Sequence, residues 1–88
     1  MQQEEKGGVT MWWIFEKLED NNDFVLYAYS RETKELDGRI RYDKANESMQ
    51  VITPCHDDSS EFALEKAIER MHYLVSNGFP QRKMFACG

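Results

Sequence analysis

No stretch of this 88-residue sequence approaches the ~20 consecutive apolar residues that a membrane-crossing helix needs. The opening "MQQEEKGG" is acidic and has no apolar core, and "MWWIF" is too short to supply one, so neither reads as a secretory signal. The closing "FACG" lacks the spacing of a prenylation box. Basic residues are few: 11 Lys and Arg stand against 16 Asp and Glu, a formal net charge of -5. The pI is about 4.9. This deficit of positive field argues against nucleic acid and anionic membrane as partners. Arg39 and Arg41 form the one local basic candidate. Phosphate loops, nucleophile elbows and internal repeats are also missing. Only two cysteines occur, Cys55 and Cys87, and the expected compartment is a reducing cytoplasm that keeps them as thiols.

What is present is a compact set of aromatic residues: two Trp, four Tyr and five Phe in a chain that is 41% hydrophobic. One small domain follows. A domain of this size buries only about 60–65% of its unfolded surface, so its stability margin is thin and a partner subunit adds to it.

Residues 1–10 are polar with Gly7-Gly8 and read as a disordered leader. Residues 11–18, "MWWIFEKL", read as a strand, "EDNND" as a turn, and 24–30, "FVLYAYS", as a second strand. A third strand spans 36–42, where Leu36, Gly38, Ile40 and Tyr42 alternate with Asp37, Arg39 and Arg41. A fourth covers 49–53 and ends at Pro54, which has no backbone donor. Short polar connections between them favour an antiparallel meander.

A helix is expected over 59–77. Asp58 and Glu61 have capping-box spacing at its start, and Asn77-Gly78 and Pro80 mark its end. Ala63, Leu64, Ala67, Ile68, Met71, Leu74 and Val75 fall on one helical face. The expected fold is therefore α+β in two layers, β-β-β-β-α, with one C-terminal helix on one face of a four-stranded sheet. The domain would run over 11–79, and the tail 80–88 would trail or add an edge strand.

The alternation within the first two strands raises a problem. Met11, Trp13 and Phe15 point one way, Trp12 and Ile14 the other; Val25, Tyr27 and Tyr29 oppose Phe24, Leu26 and Ala28. Both faces are apolar, and one helix covers one face. The uncovered face reads as an interface, most simply a homodimer, built on Trp12, Ile14, Phe24 and Leu26. If the register is reversed, the set becomes Trp13, Phe15, Tyr27 and Tyr29. On the helix, Phe62 and Tyr73 stand 11 residues apart, about three turns, on the face opposite the core stripe, and suggest a second contact surface.

The segment "ITPCHDDSSEF" holds the chemical candidates. Cys55 lies shortly before the helix with His56 beside it, a setting that can depress a thiol pKa. Adjacent residues on an extended chain point apart, however, and Asp57 and Asp58 would raise the thiol pKa. A metal site from Cys55, His56 and Cys87 has suitable ligand types but no recognised spacing. Glu69 and His72 form a Glu-x-x-His pair on a single helix, whereas carboxylate di-metal sites need two such helices. The segment is better explained as strand end, proline break and acidic helix cap, with Cys55 a small buried hydrophobe. The sequence thus points to a non-enzymatic interaction module without a cofactor, and leaves a thiol- or metal-dependent site at Cys55 as the alternative.

Overall fold

The computed structural model describes residues 11–31, 35–55 and 60–87, with the backbone alone for Met11, Trp12, Ala86 and Cys87. The leader 1–10, His56, Asp57 and Asp58 lie outside the described residues. The fold is α+β: β1 (Met11–Asp20), β2 (Phe24–Arg31), β3 (Gly38–Asp43), β4 (Ser48–Thr53), α1 (Glu61–Ser76) and β5 (Arg82–Cys87). All neighbouring strands are antiparallel, in the order β4-β3-β2-β1-β5.

Four strands form the expected meander, and the tail supplies a fifth. β5 pairs with β1 from Met11↔Cys87 to Glu16↔Arg82. The folded unit therefore extends past residue 79 to 87. β3 begins at Gly38, two residues later than its alternation suggests. Two register shifts interrupt the ladders, one between Lys17 and Glu19 and one opposite Arg39 and Ile40. The extra residues are Leu18 and Ile52, each half exposed. A bulge leaves its extra residue outside the regular alternation, and this is why two large aliphatic side chains face outward here.

The helix starts later than Asp58 and Glu61 imply. Ser60 is the N-cap, and its hydroxyl accepts a hydrogen bond from the Ala63 amide at 3.2 Å. Glu61 directly follows that cap and so does not hold the third helical position that a capping box uses. At the other end the Phe79 amide donates to Leu74 C=O at 2.9 Å and the Gly78 amide to Val75 C=O at 3.4 Å. These are the two closing bonds of a Schellman motif, with Gly78 at φ +77 where a side chain is strained.

Lys17 then receives the exiting chain. Its amide donates to Gln81 C=O at 2.8 Å, and the Gln81 side-chain amide donates to Lys17 C=O at 2.9 Å. Its ammonium donates to Phe79 C=O at 3.0 Å. These bonds deliver the tail to the free edge of β1 and so give β5 its register.

One face of the sheet packs under α1. Trp13, Phe15, Val25, Tyr27, Tyr29, Ile40 and Phe85 meet Ala63, Ala67, Met71 and Leu74 in the core. Rings dominate it. Phe15 and Tyr29 stack at 5.4 Å, and Phe15 meets Phe85 edge-on at 5.7 Å. The strand residues on the opposite side are the second, helix-free face.

Candidate interaction surfaces

The helix decides which of the two apolar faces is core. It covers the face that carries Trp13, Phe15, Tyr27 and Tyr29, all buried. The reversed register, with these four as the interface, is therefore excluded as a free surface. Ile14, Phe24 and Leu26 fall on the other face, as alternation requires, and no described secondary-structure element lies over it. Trp12 has its backbone in β1 beside Ala86.

Within this face burial is uneven. Ile14 is only 6% exposed, and Ala28 and Ser30 are buried as well. Phe24 and Leu26 are half-buried. Met84 pairs with Ile14 across β1 and β5 and is 44% exposed. The accessible apolar groups on this face are thus Met84, beside the buried Ile14, and the half-buried Phe24 and Leu26 farther along β2. Met84 is absent from the sequence-based set because its place depends on a pairing between the two ends of the chain, which no local pattern encodes.

The local basic candidate is already committed. One terminal nitrogen of Arg39 donates to Leu36 C=O at 2.7 Å and to Gly38 C=O at 2.9 Å. The Arg41 guanidinium lies 4.0 Å from the Phe24 ring centroid and 4.0 Å from the Asp43 carboxylate. Arg41 thereby shields part of the aromatic surface on this face.

Phe62 and Tyr73 occupy the outer face of α1, 59% and 43% exposed. They are not equivalent. Phe62 has Lys66 as its cationic neighbour, at 5.6 Å. Tyr73 packs edge-on against Phe85 at 5.2 Å and so joins the helix to β5.

Cys55 is buried in the hydrophobic core. Cys87 belongs to β5, at the opposite edge of the sheet from β4, the strand that leads to Cys55. Four strand spacings, about 19 Å in a flat sheet, separate those edges. The strand order does not bring the two cysteines together. His72 is exposed on α1, and no group of three or more metal-ligating side chains occurs among the described residues. Compared with protein-family models, with curated proteins and with solved structures, the chain matches none.

Asp20 and Tyr27 are shifted from their ordinary values. The Lys44 ammonium, 2.9 Å away, is the main cause that holds the Asp20 carboxyl below its ordinary value, with Lys17 at 3.3 Å assisting. Burial pushes the Tyr27 phenol up to about 12. Both groups brace the fold around the post-helix loop. No described helix is long and apolar enough to cross a membrane.

Proposed function

We propose that this protein is a small non-enzymatic interaction module that forms a homodimer through the helix-free face of its sheet. A single observation carries the reading. One helix covers one face of a five-stranded sheet, while the opposite face presents Phe24, Leu26 and Met84 with no described element above them. Met84 is exposed and Phe24 and Leu26 half-exposed along this face, and apolar groups left at a surface favour contact with another apolar surface over contact with water. A twofold axis makes the patch its own partner, so one surface suffices for closure. Trp12 and Ile14 belong to the same proposed interface, Ile14 as the buried neighbour of Met84.

Light scattering or sedimentation equilibrium across a dilution series, with and without reductant, tests this. The expected result is a species of twice 10.4 kDa in both conditions. Leu26→Glu and Met84→Glu should each shift it to monomer while leaving the helical and aromatic circular dichroism intact. A monomer at all concentrations would overturn the homodimer. A dimer that disappears only with reductant would assign the association to a thiol instead.

A further inference from the structure

The outer rim formed by α1 and β5 combines features that the proposed dimer does not use. Arg70 of α1 holds its guanidinium 5.3 Å from the Phe85 ring centroid. Lys83 of β5 holds its ammonium 5.9 Å from the same centroid and 5.4 Å from that of Tyr73. Neither cation makes an ion pair with a described carboxylate, although acids outnumber bases in this chain. The Nε of Arg70 is buried and has no hydrogen-bond acceptor. Arg82, next along β5, lies 3.8 Å from Glu16.

Among the described residues β5 is also the last strand of the sheet on this side. An edge strand leaves alternate N–H and C=O groups directed outward, and these template another strand. The opposite edge, β4, reads "SMQVIT" and carries no charge. The two edges therefore differ: one is neutral, and the other is flanked by two aromatic-backed cations without carboxylate partners.

We propose that β5 is a docking edge for an extended acidic peptide segment of a partner protein. The peptide adds as a further strand, its main chain bonding to the outward groups of β5, and its carboxylates reach Lys83 and Arg70. Tyr73, held against Phe85, gives the alternate side chains an aromatic wall. The cations also discourage a basic or neutral strand from pairing at this edge, which supplies selectivity by charge. This surface is separate from the helix-free face, and the inference does not depend on the dimer.

The test is a titration of the full chain with a blocked peptide of alternating glutamate and valine, followed by amide NMR shifts, with an alternating lysine–valine peptide as control. Saturable shifts over residues 82–87 with the acidic peptide, weakened by added salt, are expected, and none with the basic one. Lys83→Glu should weaken binding about tenfold, the loss of a charge-assisted contact. Lys83→Gln, which keeps the side chain's length without its charge, should weaken it less. Equal binding of both peptides, shifts centred on residues 48–53, or unchanged affinity in both Lys83 variants would overturn the assignment. So would the absence of binding by either peptide.

Discussion

The hydroxyl of Tyr27 donates a hydrogen bond to the carbonyl of Pro80, fastening the middle of β2 to the loop that leaves the helix. The ring is fully buried in the core, and the phenol is pushed up to about 12 by burial. One side chain thus serves the aromatic core and the route by which the tail reaches β1.

That linkage has a pH signature. Above about pH 10 the unfolded Tyr27 ionises while the folded one stays protonated, so the unfolded state binds fewer protons and stability falls as pH rises toward 12. Tyr27→Phe removes the bond, at a cost of about 0.5–1.5 kcal/mol at neutral pH. It also removes this residue's part of the alkaline loss. Urea unfolding at pH 7 and at about pH 11, midway in the window, for both proteins is the check. The variant should lose less between the two.

Asp20 gives the opposite limb. Its folded pKa lies below the ordinary value, so its contribution is present above the unfolded pKa and is lost as pH falls through the folded one. Asp20→Asn should flatten the acid side of the stability profile between roughly pH 4 and the acid transition. Thermal melts at stepped acidic pH, compared with the parent chain, read this directly.

Gly38 lies directly across from Tyr29 on β2, and the ring covers it. A Cβ there would sit 2.6 Å from the Tyr29 ring. Gly38→Ala should therefore destabilise by about 1–3 kcal/mol through overpacking, despite alanine's harmless chemistry. The decisive comparison is chemical denaturation in a Tyr29→Leu background. There the same substitution should cost measurably less, because the obstructing ring is gone.

Cys55 should react with a disulfide reagent far more slowly in the folded protein than in denaturant, since the thiol lies in the core. Its rate should track global unfolding as denaturant rises. A fast folded-state reaction would revive a chemical role for this residue.

The meander was legible because each of its elements is local. Gly38, Ile40 and Tyr42 alternate with Arg39 and Arg41, and polar turns separate the runs, so strand, face and direction follow from neighbours in sequence. The core stripe of α1 was equally local: Ala63, Ala67, Met71 and Leu74 are its buried residues. The cap was misplaced by two residues because "DDSSE" offers several N-cap side chains in a row, and propensity does not choose among them. Leu18 and Ile52 broke the alternation for want of any bulge signal. For β5 the local sequence leaves a loose tail and an edge strand as alternatives. Its pairing with β1 is set by Lys17, Phe79 and Gln81, whose bonds span more than sixty positions and leave no periodic trace. For the same reason the face of Ile14 and Leu26 could be read from the sequence, while Met84's place beside them could not.

The pairing of Met11 with Cys87 brings the first and last described strand positions side by side. The described path from β1 to β5 is nearly a closed ring. A short linker joining these positions, with new termini opened in the turn between β3 and β4, would leave every strand neighbour and the helix crossing in place. Such a circular permutant would turn β1, α1 and β5 into a contiguous run. The β1–β5 pairing would then become a local hairpin closure and β3–β4 the distant pairing, so the native architecture should persist while the late, long-range step moves to the other edge of the sheet.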